Sequence, residues 1–499
     1  MGKKKKLTQS EIDGVQYRHV KTWRIALAQM NAGASMCFYV LMGMASYVAN
    51  AGYGIAVAVA GVILTATRVF DGITDPIIAL VIDKVNTKFG KLRIFLLIGW
   101  LIESLAVLMM FSWGSGKNHG IVFFILTYMV YVIGYTINSV TGNIIPPVMV
   151  NDPKQRPMFG VWGTVYNYLV PMMMSLVVTM VILPKFGNQY SVPMLRVNSI
   201  FCVAVSFVLV LLCCIGVSSA DKPENFQGIS VKGKEERVTL RDMARLLKGN
   251  RAMQMYIVSA ASDKLAQQTG SQAVVSTMLF GILIGNMQLG TLISVIAMLP
   301  SIIFAILGAK YAGKHGNKES MITWTRVALV VAVISVLFCS LADLKKVTVA
   351  AVPTILFFLL TFALNGSKMC ITTATGAMCA DIIDFELDRS GKFLPAAVTA
   401  TYSFIDKCIS SLGSTIAAGC VALIGFRTVM PQPTDEATTP ILVMTMFLYY
   451  GLPIIGWICT LVAMKFSPLS KEKMVEVQKN IQAKKQAAQK EFIEKYEEA

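Results

Sequence analysis

The sequence predicts an all-α membrane protein whose twelve transmembrane helices form two six-helix bundles. The composition is the first observation: of 499 residues, 55% are hydrophobic and only 15% charged, and the mean hydropathy is +0.61. Soluble domains carry about 25% charged residues, so an ordinary soluble enzyme is excluded. The second is that the apolar residues gather into runs long enough to cross a bilayer, which takes about 20 residues in a helix. The third is a long hydrophilic stretch near the middle of the chain.

Residues 1–24 are lysine-rich and lack an early apolar core, so they read as a hydrophilic N-tail and not as a cleaved signal. Apolar segments follow at about 25–49, 55–82, 94–113, 121–148, 158–183 and 195–217. The stretch 218–251 is a central loop. Six more segments occupy about 252–280, 289–309, 321–342, 347–380, 393–424 and 441–466, and 467–499 form a charged tail. The expected units are therefore 25–217 and 252–466, each with six spans. In the tail, Met474, Val477, Ile481, Ala488 and Phe492 recur at helical spacing, with Ser470 as a cap. Such a helix is expected to lie in water or along the membrane surface.

Basic residues orient the spans. With the N-terminus inside, the inner segments hold 34 Lys and Arg and the outer loops six: Lys117, Lys185, Arg196, Lys345, Lys346 and Arg427. This asymmetry places both termini in the cytoplasm of a multi-pass protein of the plasma (inner) membrane. It also accounts for the net charge of +17 without a nucleic-acid partner. The ten cysteines lie in apolar runs with no CxxC pair, and the three histidines sit in hydrophilic segments. Neither a disulfide framework nor a zinc or histidine cluster is expected. No Walker loop is present, so nothing points to ATP hydrolysis or to any enzyme, and no cofactor is called for.

The loops after spans two and eight resemble one another: DKVNTKFGKLR from Asp83 and KYAGKHGNKES from Lys310. A repeat at corresponding positions suits two bundles around a central solute site, the plan of alternating-access transporters.

Ionised side chains inside the spans mark that site, because each costs about 2.5–3.5 kcal/mol at the centre of an inserted helix. The carboxylates are Asp71, Asp75, Glu103, Asp263 and Asp406; the cations are Arg68, Lys264, Lys368 and Lys407. In span two, TRVFDGITDPIIALVIDK sets Arg68, Asp71 and Asp75 three and four residues apart. The two carboxylates then stand about 6 Å apart along one helix face. Their mutual repulsion is relieved by a bound cation, sodium or a proton, or by an ion pair with Arg68 that leaves one carboxylate silent. Pro76 frees the carbonyl of Gly72 as a further acceptor, which suits a hard cation held by Asp71 and Asp75. Span four offers Thr136, Asn138, Ser139, Thr141 and Asn143, although helical Ser, Thr and Asn also serve packing. In the second half, span seven holds Asp263, Lys264, Gln267 and Gln268, span ten Asn365 and Lys368, and span eleven Tyr402, Asp406 and Lys407. Asp406 and Lys407 project about 100° apart, so each is expected to find a partner elsewhere.

The stretch Thr67–Arg93, with R-x-x-D-x-x-x-D-P followed by D-x-x-x-x-x-x-G-K-x-R, resembles the signature of the glycoside-pentoside-hexuronide:cation symporter family of the major facilitator superfamily. CADIIDF at 379–385 and Lys407 set 19 residues before Phe426 agree with it, and the resemblance extends over about 25–466. It implies the major facilitator fold, with the coupling cation held by Asp71, Thr74, Asp75 and Thr136 and with Lys407 close by. Where melibiose permeases of this family hold sugar hydroxyls with carboxylates of spans one and four, this chain has Asn31, Ser35 and Ser139, and their span-five arginine falls near Thr164. A galactoside is therefore disfavoured. Lys264 and Lys368 favour a sugar-like solute bearing negative charge, such as a uronide. The reading is a secondary active transporter in the lipid bilayer, for which a monomer suffices. The alternative is a transporter-like membrane receptor that signals through its tail.

Overall fold

The computed structural model describes residues 19–84, 90–116, 119–150, 155, 157–222, 246–298, 300–391 and 395–483. All twelve predicted spans are helical. Ten helices are long and apolar enough to cross a membrane: Thr22–Gly52, Leu92–Trp113, Gly120–Met149, Met158–Lys185, Val192–Val217, Met287–His315, Asn317–Leu341, Ala351–Ser390, Thr401–Leu423 and Thr439–Phe466. Span two, Val57–Lys84, is one continuous helix whose second half carries the carboxylates. Span seven consists of Arg251–Gly270 and Ala273–Leu283, so its polar first part and its apolar second part are separate helices. Every regular element among the described residues is helical. In a bilayer this closes each backbone hydrogen bond inside its own segment.

The chain divides into two compact units, one of residues 1–56 and 66–235, the other of 57–65 and 236–499. The second unit thus includes the first turns of span two as well as the second half of the chain. Gly61 lies against span eleven, where an added Cβ would stand 2.7 Å from the Cβ of Ala418. One turn on, Thr65 meets the Ser411 carbonyl at 2.7 Å and the Thr415 hydroxyl at 2.6 Å. The remainder of span two belongs to the first unit.

Within the first unit, spans one, three, four, five and six share a core of Ile25, Leu96, Ile145, Phe159 and Val210. Span six approaches span one so closely that a Cβ on Gly216 would lie 2.6 Å from the backbone nitrogen of Ala28. Large apolar side chains instead cover the outer faces, among them Val122 and Leu126. Small residues between helices and branched ones outside are the pattern expected where lipid tails compete with protein for apolar contact.

Span three begins under an unusual cap. Asp221, just beyond span six, is buried and accepts hydrogen bonds from the backbone N–H groups of Lys91 (2.7 Å), Leu92 (2.9 Å) and Arg93 (3.0 Å) and from the Arg93 side chain (3.0 Å). One carboxylate thus satisfies three of the four orphan donors at the helix start and sits at the positive end of its dipole. Gly90 adopts φ +95°, a left-handed conformation that favours glycine, and an added Cβ there would collide with Asp221.

The second unit repeats the device. Gly316, before span nine, has φ +96°, and a Cβ there would stand 3.1 Å from the Cβ of Lys471, just beyond span twelve. The ammonium group of Lys318 donates to the carbonyl of Ser467 (2.7 Å) and that of Lys471 to the carbonyl of Lys314 (2.6 Å). In both halves, then, the chain leaving its last span folds onto the glycine that follows its second.

The tail departs from expectation. Residues 471–483 are helical, but Val477 and Ile481 are buried in the second unit, and the side-chain amides of Gln478 and Asn480 donate to Asp384 (2.7 Å) and Asp388 (3.1 Å). Ser470 caps this helix through the N–H of Lys473 (3.2 Å). The helix is docked on protein rather than lying in water or on lipid, because the second unit supplies an apolar seat that composition does not reveal. Ala488 and Phe492 lie outside the described residues.

Replacing Asp221 by alanine leaves three helix-start donors without an acceptor in a buried site. Each stranded donor costs roughly 1–3 kcal/mol, partly relieved by water. The Asp221→Ala protein in detergent is expected to melt several degrees below wild type, with Asp221→Asn between the two.

Candidate transport sites in the two units

Span two positions Thr74 against span four. Both Thr74 and Thr136 are buried, and their hydroxyl oxygens stand 3.5 Å apart. Thr74 occupies the helical turn that also carries Asp71 and Asp75. The side chains of Arg68, Asp71 and Asp75 lie outside the described residues.

Next to this pair the first unit contains a buried polar chain. Asn31 of span one donates from its amide to the carbonyl of Asn138 in span four (3.2 Å), and the Asn138 amide donates to Glu103 of span three (3.0 Å). Ser35 bonds the carbonyl of Asn31 one turn earlier (3.1 Å). Ser139 is half-buried and Asn143 exposed. Thr141 bonds the backbone of its own helix at Ile137 (2.7 Å), and Thr164 likewise at Gly160 (2.8 Å). Those two hydroxyls therefore serve their own helices, as Thr commonly does in a span.

The second unit gathers the remaining candidates. Asp263 accepts a hydrogen bond from Gln267 one turn along (2.8 Å), which holds the exposed Gln267 amide in place. Lys368 of span ten reaches over the ring of Trp457 in span twelve, 6.0 Å from its centroid, at the limit of a cation–π contact. Lys368 and Lys264 both act electrostatically on Asp263, as Lys264 and Lys407 do on Asp406. Tyr402 packs against Tyr256 at 5.2 Å between ring centres. Spans seven, ten, eleven and twelve thus contribute two carboxylates, three cations and three aromatic rings to one cluster. Glu103, the remaining sequence-predicted span carboxylate with a described side chain, is bonded to Asn138 in the first unit. Trp457 and Tyr256 were not legible as members, since a single aromatic residue in an apolar run carries no signal.

Below this cluster, Asn250 caps span seven through the N–H of Met253 (3.0 Å) and donates to Glu386 (2.7 Å). Arg389 closes on both oxygens of Glu386, each at 3.0 Å. This carboxylate is fully engaged and belongs to the scaffold.

A chain of twelve helical spans that carries charged side chains within them has the architecture of a membrane transporter of the major facilitator type. Comparison with known proteins is more specific: the chain matches the MFS/sugar transport protein family over residues 24–471 and belongs to it. It is similar to the glucuronide carrier protein homolog of Escherichia coli (strain K12), 23% identical over 445 residues, covering 87% of this chain and 90% of that protein. It is also similar to the symporter YjmB of Bacillus subtilis (strain 168), 23% identical over 405 residues, or 80% of this chain and 81% of that one. Among solved structures, the nucleoside transporter NupG shares the fold, with a TM-score of 0.58 at 14% identity over 89% of this chain and 99% of that one.

If Asp263 and Lys368 stabilise one another, removing either alone strands the other in a half-buried site. Asp263→Asn and Lys368→Met are each expected to lower the melting temperature more than the double variant does. Thermal melts of the four proteins should give a coupling of roughly 1 kcal/mol; additive effects would show that the two groups act independently.

Proposed function

We propose that this transporter moves a sugar or glycoside together with a cation by alternating access, and that the coupling cation binds at Asp71, Thr74, Asp75 and Thr136. The observation that carries this reading is the Thr74–Thr136 hydroxyl pair at 3.5 Å, set on the turn of span two that bears both carboxylates. Two hydroxyl oxygens and two carboxylates are a donor set for sodium, and the carboxylates alone would serve a proton. Linkage then couples the solutes: a cation that favours the sugar-binding state must itself be bound more tightly when sugar is present.

The solute-binding residues we assign are Asn31, Ser35, Ser139 and Asn143 in the first unit and Lys264, Gln267, Lys368, Tyr402, Asp406 and Lys407 in the second. Lysines beside an aromatic cluster favour a solute bearing a carboxylate or sulfonate, since such an anion returns part of the desolvation cost of a buried ammonium group. The resemblance to a glucuronide carrier homolog supports the same class. The protein is placed in the plasma membrane with both termini in the cytoplasm, on the charge asymmetry of its loops. The receptor alternative draws no support from the tail, whose described part is docked on the second unit.

Asp75→Asn is expected to abolish cation-driven accumulation in proteoliposomes while leaving exchange of solute down its own gradient; undiminished accumulation would remove the cation site from span two. In competition against a labelled substrate, uronides are expected to outcompete their neutral glycoside counterparts. The reverse order would assign the lysines to internal ion pairs.

A further inference from the structure

Among the described residues of the first unit, two carboxylates are almost completely buried, and they are treated in opposite ways. Asp221 receives four hydrogen bonds, one of them from an arginine side chain. Glu103 is 1% exposed and receives one, from the Asn138 amide, on Oε2. Its other oxygen, Oε1, has no partner. The same holds for the side-chain oxygens of the two asparagines beside it: Oδ1 of Asn138, 3% exposed, and Oδ1 of Asn31, 6% exposed. Both asparagine amides donate, in the direction Asn31 to Asn138 to Glu103, each through one of its two N–H groups. Three buried side-chain oxygens in this polar chain accept no hydrogen bond.

This arrangement is built into the helix packing. Opposite Glu103, span four has Gly134, where a Cβ would stand 2.6 Å from the Glu103 nitrogen. Opposite Asn138, span three has Gly99, where a Cβ would stand 2.7 Å from Oδ1. Opposite Asn31, span four has Gly142, with 2.7 Å to the Asn31 amide nitrogen. Gly134, Asn138 and Gly142 follow one another at i, i+4 and i+8 on one face of span four, and Gly99 and Glu103 at i and i+4 on span three. Gly99 thus leaves space for the Asn138 carboxamide oxygen and Gly142 for the Asn31 amide nitrogen, while Gly134 lets the backbone of Glu103 approach span four. A buried acceptor left without a donor is unfavourable, and more so when it is charged. Three such oxygens on packed helices, one of them from a carboxylate, call for a positively charged occupant.

We propose that Glu103, with Asn138 and Asn31, forms a second site for a small monovalent cation, a proton or a sodium-sized ion, built from residues other than those of span two. Among the described residues, the titratable groups within electrostatic reach of Glu103 are the thiols Cys37 of span one and Cys202 of span six. No described lysine or arginine forms a salt bridge with it. The site rests on the symport reading only for its use in transport. Cation binding at Glu103 is measurable without it.

The test uses the purified full-length chain and reads binding, not uptake. A hydrophobic carbodiimide attacks a protonated carboxyl from the membrane phase, and peptide mass spectrometry reports which residue is modified. Glu103 is expected to be labelled. If its ligand is a proton, labelling falls as pH rises and ignores sodium; if it is an alkali cation, sodium protects at constant pH while choline does not. Labelling that responds to neither, or no labelling at any pH, overturns the site. The second arm is Glu103→Gln, which keeps the shape and the Asn138 hydrogen bond. Its melting temperature is expected to lose a sodium- or pH-dependent component that Asp75→Asn retains, with an apparent cation affinity weakened roughly tenfold or more. A Glu103→Gln protein whose melting follows sodium and pH as wild type does would make the cluster a packing device alone. Failed accumulation with Glu103 labelling intact would count against the symport reading and leave this site standing.

Discussion

The hydrocarbon core of a bilayer offers no hydrogen bonds, and most of the architecture of this protein answers that constraint. In hydrocarbon a backbone N–H or a carboxylate cannot borrow a hydrogen bond from solvent, so each must be met by another part of the chain. Asp221 shows the complete solution. It lies 128–130 residues from the helix start it caps, and it brings the end of span six to the beginning of span three. Glu386 is a second complete solution, held by Asn250 and Arg389. Against these stand the incompletely met oxygens of Glu103, Asn138 and Asn31, three gathered on packed helices.

Hydropathy made the twelve spans legible because the signal is carried by runs of twenty residues, in which a few polar side chains change little. The seventh span shows where such averaging loses detail: its apolar half is short, and the part bearing Asp263, Lys264 and Gln267 has no apolar excess. Charged residues inside spans were equally legible. Their partners were not, since pairing depends on rotation about each helix axis and on which helices pack together. Asp406 and Lys407 could be separated on one helix by angle, but nothing in their spacing pointed to Tyr256 or Trp457. Glu103 reads in sequence as one more carboxylate inside a span, and only packing against span four shows it bound to Asn138. The Asp221 cap was illegible for another reason: an aspartate in a hydrophilic stretch reads as loop, and its three donors lie on the far side of four spans.

Glycine has two uses here that the sequence does not distinguish. At Gly90 and Gly316 it supplies a positive φ, and the near identity of the two angles, +95° and +96°, strengthens the repeat suggested by the loop sequences. At Gly99, Gly134 and Gly142 it removes a side chain so that a facing helix can bring in a polar one. The first use shapes the turn after each second span. The second fixes the sliding register of spans three and four, because an asparagine and a glutamate displaced by one turn would meet side chains instead of hollows.

The seat of residues 471–483 on the second unit also bears on the order of events at the ribosome. Asp221 emerges immediately after span six, so the first unit can complete its glycine turn while the second half is still being translated. The corresponding turn at Gly316 waits for Ser467 and Lys471, and burial of Val477 and Ile481 comes later still. Nascent chains halted just after span twelve would therefore hold a finished first unit and a second one still open at its Gly316 edge. Until synthesis passes Ile481, that edge is a surface on which quality-control proteases and chaperones could act.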